Sequence, residues 1–295
     1  MKKFQVVGIG NAMVDVLARA DDSFLAQAGI AHLGGRTAYV GKVKDDQLGV
    51  IFAHDMRAQG AVYETAFAPK DAVDETGRCV VIVTPDGERS MNTYLGVTEF
   101  LTVADIDEAQ MAQAEWIYLE GYRFDGPESH AAFAKAIVAC KAAGGRVSLT
   151  LSDPFCVNRH REAFRSMIEA DVDLLFCNRA EMLSMYETDD FDAALALAAA
   201  EVAVVACTDS ANGAYILAGS QRWHVPADPV QIVDATGAGD LFAGAFLWAL
   251  AENYSLPDCG RIGNIAAGEV IGHIGARPEQ DLKGLIAKAG VVPAT

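Results

Sequence analysis

Six near-continuous apolar runs set the frame for this chain: Phe4–Ile9, Ala38–Val43, Trp116–Glu120, Val147–Leu151, Val172–Cys177 and Val202–Cys207. Runs of this kind lack the apolar–polar alternation of a half-exposed strand and suit strands covered on both faces. Between several of them lie segments of helical period, Asp46–Gln59, Glu128–Ala143 and Asp190–Ala200, the second stopped by Gly144-Gly145. Strands alternating with helices predict an α/β fold, a mostly parallel sheet with helices on both faces. Two long helices, Gly239–Glu252 and Pro257–Ile274, and a short one near Leu282–Ala289 are expected to close it. One region breaks the rhythm. Arg78–Tyr94 reads as a β-hairpin with Pro85-Asp86-Gly87 at its tip, and with the extended stretch Ala12–Ala20 it predicts a small β-sheet outside the main core.

With 295 residues, 52% of them hydrophobic, the chain can bury one large core, and it has no low-complexity linker and no internal repeat. A net charge of −17 argues against nucleic acid and anionic membranes as partners, though not against ATP, whose charge is met locally. No run is long and apolar enough to span a bilayer, and Val14–Leu17, interrupted by Asp15, is too short for a signal-peptide core. Cysteines 79, 140, 156, 177, 207 and 259 form no CxxC pair and read as small buried hydrophobes in a reducing cytoplasm. The histidines are scattered, without a zinc-binding spacing. The expected partners are small molecules, and the expected state is a monomer or homodimer.

The chemistry concentrates in Asp234-Ala235-Thr236-Gly237-Ala238-Gly239-Asp240, which runs straight into an apolar helix. Small residues let a ligand approach the backbone of Gly237, Ala238 and Gly239, and a helix start favours negative charge there. Asp240 beside it can take a proton from a hydroxyl. Phosphoryl transfer to an alcohol needs both parts, a base and an electropositive cradle. The plainer reading is a tight turn before a buried helix. Two other motifs fall short. Gly8-Ile9-Gly10 has Met13 where a dinucleotide fingerprint needs a third glycine, and Gly41-Lys42 lacks both the earlier glycine (Arg36) and the following Ser/Thr (Val43) of a P-loop.

Other polar groups leave strand ends, where parallel sheets bind ligands. Asn11 and Asp15 can hold hydroxyls, or make an Asx turn. Asn178 and Glu181 read as a helix cap or as organisers of a metal and phosphates. Thr208 to Gly213 is a polar turn or a phosphate loop.

These motifs resemble the PfkB carbohydrate kinase family, also called ribokinase-like. Its second signature reads Asp-Thr-x-Gly-Ala-Gly-Asp, with Ala235 here in place of the Thr. The resemblance covers nearly the whole chain and implies one discontinuous domain, residues 1–295, with lid strands within 12–34 and 78–96. It implies ATP and Mg²⁺ as cofactors, Asp240 as base, the Gly237-Ala238-Gly239 backbone as anion hole, and an aspartate such as Asp15 on sugar hydroxyls. It further implies that Asn178 and Glu181 order Mg²⁺, Glu181 through water, that Thr208 and Gly213 frame the phosphates, and that Asn264 lies near the adenine. The carbonyls of Gly272–Ala276 would face a monovalent cation. Leu151-Ser152-Asp153-Pro154-Phe155 and the run from Val172 to Glu181 resemble the adenosine kinase branch, with Phe155 as an apolar wall for a base or, alternatively, core. The expected reaction is phosphorylation of a primary hydroxyl on a ribose-containing molecule, adenosine first. A kinase for ribose, fructose or a related sugar is the second reading, and a non-catalytic nucleoside-binding protein the third.

One departure stands out. Leu33-Gly34-Gly35 through Asp46 and Gly49 match the later half of the family's first signature, but its Gly-Gly-x-x-Asn half is missing where Gly29-Ile30-Ala31-His32 joins Leu33. That half carries substrate-contacting backbone. The chain is either a variant without it or a sequence from which the stretch has been left out, and the family-like spacing on both sides points to the second.

Overall fold

The computed structural model describes residues 2–15, 25–83 and 89–294, with positions 15, 25, 28, 81–83 and 89–91 described by backbone alone. Its strands are β1 (Phe4–Ile9), β2 (Met13–Asp15), β3 (Thr37–Val40), β4 (Val62–Tyr63), β5 (Gly77–Val83), β6 (Arg89–Tyr94), β7 (Ala114–Glu120), β8 (Arg146–Thr150), β9 (Leu174–Asn178), β10 (Val204–Thr208), β11 (Ala214–Ala218) and β12 (Gln221–Val225). The helices are α1 (Leu25–His32), α2 (Gln47–Ala58), α3 (Glu108–Ala112), α4 (Ser129–Ala142), α5 (Pro154–Asp171), α6 (Arg179–Tyr186), α7 (Phe191–Glu201), α8 (Ala238–Ala251), α9 (Leu256–Val270) and α10 (Leu282–Lys288). Among the described residues no helix is long and apolar enough to cross a membrane.

A nine-stranded sheet runs in the order β12-β11-β10-β9-β8-β7-β1-β3-β4. Its pairings from β4 to β10 are parallel, and β11 and β12 add an antiparallel edge. The two faces bury separate cores. Val7, Ile9, Ile117, Leu119, Val147 and Leu149 pack with residues of α3 to α7, and Val6, Trp116, Tyr118, Leu174 and Phe176 pack with α1, α8, α9 and α10. The chain leaves β1 toward β3 and β4, then returns to β7 on the other side of β1 and continues through β8, β9 and β10. The order therefore reverses between β1 and β7, the crevice at which open α/β sheets bind ligands.

The second sheet joins β2, β5 and β6: β2 runs parallel to β5, and β5 and β6 form an antiparallel hairpin with Arg78 opposite Tyr94. The expected tip at Pro85-Asp86-Gly87 and the stretch from Val16 to Phe24 lie outside the described residues. Within the range 12–34, where lid strands were expected, β2 is the strand among the described residues, and residues 25–32 form helix α1. That helix closes through a left-handed Gly34, with Gly34 N donating to Ala31 O at 2.8 Å and Gly35 N to Ile30 O at 2.8 Å. The backbone is thus a closed helix end across the junction read as interrupted.

Elsewhere the differences have local causes. Val172 and Val202 are extended residues that end α5 and α7, buried yet ahead of the ladder, so β9 and β10 begin two residues later than their apolar runs. Helix α9 stops at Val270 rather than 274 because the Ile271 carbonyl accepts from Val233 N at 2.8 Å, tying the next turn to the loop before α8. Helix α5 escaped the periodicity reading because His160 (φ −124°, ψ 20°) breaks the helical phase between buried Cys156-Val157 and buried Phe164 and Ile168. The six cysteines are all buried and free.

Candidate active site

Helix α8 is buried from Leu241 to Ala249, so its first turn is rigidly placed. Gly244 lets it approach α1: a Cβ there would stand 2.3 Å from the Ala26 carbonyl oxygen. The turn into α8 depends on Gly237, the residue before the helix, at φ 76° and ψ 0°, a left-handed conformation that favours glycine. Asp234 builds that turn, its Oδ1 accepting from Thr236 N at 2.9 Å and its Oδ2 from Gly275 N at 3.0 Å. The first aspartate of the motif is therefore a buried brace between this turn and the 272–276 loop. Beside Gly239 the space is open: among the described residues, no atom outside its own helix turn lies within 4 Å of where a Cβ would stand. The first-turn amides of a helix have no partner within it, so an open helix start of this kind suits an anion.

Asp240, the third residue of α8, faces the carboxyl end of β7. The Tyr118 hydroxyl donates to its Oδ1 across 3.5 Å. Burial, then the charges of Asp240, Glu120 and Glu181, keep Tyr118 protonated well above the ordinary phenol range. The negative charge of carboxylates on α8, β7 and α6 is thus felt at one phenol.

The other strand ends surround this point. After β1, Asn11 is buried; its N–H donates to Glu120 Oε2 at 3.1 Å, and its Oδ1 accepts from Arg123 Nη1 at 2.9 Å. This bond spans the crevice between β1 and β7. Asp15 pairs through its backbone with Cys79 in the small sheet, and its side chain lies outside the described residues. After β8, Ser152 takes a left-handed φ of 72°, uncommon for a side-chain-bearing residue, and its Oγ accepts from Tyr122 N at 3.1 Å. That bend starts α5, capped by Asp153 through Cys156 N at 2.6 Å, and leaves Phe155 75% exposed. Phe155 is not a core residue.

Asn178 ends β9 opposite Thr208, which ends β10. Asn178 and Glu181 form a capping box, Oδ1 accepting from Glu181 N at 2.9 Å and Glu181 Oε2 from Asn178 N at 2.9 Å. Burial pushes the Glu181 carboxyl up to about 7, against the lowering effect of the Asn178 N–H, and Asp153 adds to the rise. Among the described residues, no group of three or more His, Cys, Asp or Glu is arranged to hold a metal ion. Gly213, at φ 91°, closes the turn after Thr208 with the space for a Cβ filled by the Val225 carbonyl oxygen, 2.1 Å away. Asn264 on α9 donates to the carbonyls of Val225 and Pro226 at 2.9 and 3.2 Å, fixing the chain that leaves β12.

The structure thus brings Asp240, Asn178, Glu181 and Asn11 toward the carboxyl ends of β1, β7 and β9, with Thr208 beside Asn178. Phe155 stands on the rim, and Asn264 is engaged with backbone at the outer edge of the sheet. Sequence reasoning missed Glu120, Tyr118 and Arg123. Glu120 was visible as a carboxylate ending an apolar run; Tyr118 and Arg123 gave no signal, being a strand residue and a charge in a short turn.

The fold defines the class, a ribokinase-like α/β protein with a small separate sheet. The model for the pfkB family carbohydrate kinases matches residues 27–282, and the chain belongs to that family. A fructokinase from Vibrio alginolyticus is 28% identical over 270 residues, 84% of this chain and 85% of that one. The crystal structure of a probable sugar kinase from Rhizobium etli CFN 42 superposes with a TM-score of 0.94 at 40% identity, over 99% of this chain and 100% of the other. The adenosine kinase from Sinorhizobium meliloti does so with a TM-score of 0.92 at 40% identity, over 97% and 99%. Kinases of this family are ATP-dependent phosphotransferases acting on sugar or nucleoside hydroxyls, and the chain is such an enzyme.

Proposed function

We propose that this kinase phosphorylates the primary hydroxyl of a nucleoside, adenosine in the first place, with Asp240 as the general base. The observation that carries the chemistry is Asp240 in the first turn of α8, next to an open Gly239 backbone and the buried Tyr118 hydroxyl. Asp240 takes the hydroxyl proton as the oxygen attacks the γ-phosphorus of ATP; the bond to the β-phosphate oxygen breaks, and ADP leaves with that electron pair. The first-turn amides of α8 face the charge on the moving phosphoryl group. Mg²⁺, when bound, would neutralise phosphate charge; Glu181, its carboxylate fixed by Asn178 N–H, would help to hold it. Asn11 and Asp15 hold the ribose hydroxyls.

The nucleoside reading rests on Phe155. An aromatic ring 75% exposed at the sheet's carboxyl rim, held out by the strained Ser152 bend, offers an apolar wall that a free sugar has no use for. The adenosine kinase at 40% identity supports it. A sugar kinase is the second reading, favoured by the fructokinase that aligns with 84% of the chain. Comparing adenosine, inosine, guanosine, ribose and fructose by ADP release tests the choice: adenosine should give the highest kcat/KM, and a free sugar that outpaces every nucleoside makes the second reading correct.

A further inference from the structure

Arg123 is a buried cation with no part in the reaction described above. It sits in the short turn Gly121–Asp125 after β7, 1% exposed. Its Nη1 donates to Asn11 Oδ1 at 2.9 Å and to the Thr98 carbonyl at 2.6 Å, and its Nη2 donates to Ser129 Oγ at 2.9 Å. Thr98 returns the contact, its Oγ1 accepting from Ala12 N at 2.8 Å. One guanidinium therefore joins three chain segments: residues 11–12 after β1, the turn at 96–100 that follows β6, and the first turn of α4. Its position is that of the switch-point crevice, where Glu120 accepts from Asn11 N on the other side.

A guanidinium only donates. Where it meets an amide side chain it must meet the oxygen, so the amide cannot turn over without setting N–H against N–H in a buried place. With Oδ1 held by Arg123, the other end of the Asn11 side chain is Nδ2, and Nδ2 is a donor.

We infer that Arg123 is a positioning residue that fixes Asn11 as a hydrogen-bond donor to the acceptor substrate, so that the site selects a ligand oxygen with a free lone pair at that point. This rests on the reading of Asn11 as a hydroxyl-holding residue. A ribose hydroxyl that gives its proton to a carboxylate and receives one from Asn11 fits that polarity.

The test is steady-state kinetics of the full chain with adenosine and ATP varied separately, on Arg123→Lys, Asn11→Asp and Asn11→Ala, each checked by thermal melting. Asn11→Asp keeps an oxygen for Arg123 and replaces the Nδ2 donor with an acceptor. It should melt no lower than the parent yet raise the adenosine KM about tenfold, the size of one lost hydrogen bond. Arg123→Lys, which no longer holds both Asn11 and Ser129, should raise the adenosine KM several-fold. In both, the ATP KM should stay within twofold, a split that mere loosening of the fold does not produce. If Asn11→Ala raises the adenosine KM while Asn11→Asp leaves it unchanged, Asn11 touches substrate without fixed polarity and the inference alone is overturned. An unchanged adenosine KM in Asn11→Ala removes the reading of Asn11 beneath it, and the inference with it. Should Arg123→Lys not fold, the two Asn11 variants decide.

Discussion

The hydroxyl of Tyr118 donates to Asp240 Oδ1 across 3.5 Å, joining the middle of the sheet to the first turn of a helix that begins more than a hundred residues later. The proposed base thereby has one of its oxygens joined to the sheet from the protein side.

Replacing Asp240 by Asn should lower kcat by about 10²–10⁴, the range for loss of a positioned general base. The KM for ATP should hardly move, because the α8 backbone is untouched. Tyr118→Phe removes only the donor and should cost roughly tenfold or less. Activity of Asp240→Asn within a few-fold of the parent would take Asp240 out of the role.

Glu181 gives a pH prediction. Its carboxyl titrates near 7 in the folded chain, against 4.5 ordinarily, because burial disfavours its charge. The raised value means that its ionisation costs the fold: from about pH 4.5 upward the unfolded chain gains more from losing the proton, and the penalty is complete above pH 7. Glu181→Gln cannot ionise and keeps one acceptor for Asn178 N. Without divalent cations, the variant should be the more stable at pH 8 by about 1–2 kcal/mol, the gap closing toward pH 4.5. Its half-maximal Mg²⁺ requirement in turnover should rise; an unchanged requirement would leave Glu181 a helix cap only.

Asp46 shifts the other way. Burial would raise its pKa, but the N–H groups of Thr76 and Gly49 and the Thr76 hydroxyl outweigh it and hold it below the ordinary value. Its Oδ1 accepts from Gly49 N at 2.8 Å and its Oδ2 from Thr76 N at 2.9 Å, so one side chain caps α2 and anchors the start of β5. Asp46→Asn should cost about 1–2 kcal/mol at pH 7. Since the folded pKa is lowered, that contribution is complete above the ordinary value and fades as pH falls through the folded one. Denaturant titrations at pH 7 and pH 3 should show the parent losing its advantage at the lower pH.

How much of this was legible in the chain follows from what each residue does. The parallel sheet could be read because the central residues of β1, β7, β8, β9 and β10 are buried on both faces and mostly apolar. Asp240 could be read because small residues and a carboxylate must lie next to one another in sequence to make a helix-start anion site. Asp46 and Gly49 belonged to a recognised pattern, but their work, a cap and a close approach to the Lys44 carbonyl, needed coordinates. Glu120 offered a signal, a carboxylate ending an apolar run, but Tyr118 and Arg123 could not be read as site residues: each gains its meaning from partners after β1, in the turn at 96–100, in α4 or in α8, and strand order is not written in local composition. The edge hairpin β11–β12 was missed for the same reason, its residues being ordinary in polarity.

Phe155 carries the substrate assignment. Phe155→Ala should lower kcat/KM for adenosine by roughly 5- to 150-fold, corresponding to about 1–3 kcal/mol of stacking and burial, and should change the rate with ribose little. Equal losses on both acceptors would place Phe155 in general packing of the rim.

The central claim, phosphoryl transfer from ATP to a nucleoside hydroxyl by Asp240, is tested most directly by identifying the product. Incubation with ATP, Mg²⁺ and adenosine, followed by ³¹P NMR and mass analysis, should give ADP and adenosine 5′-monophosphate in equal amounts, with the Asp240→Asn variant giving neither at a comparable rate. ADP formed without a phosphorylated nucleoside, or equal product from Asp240→Asn, would contradict it.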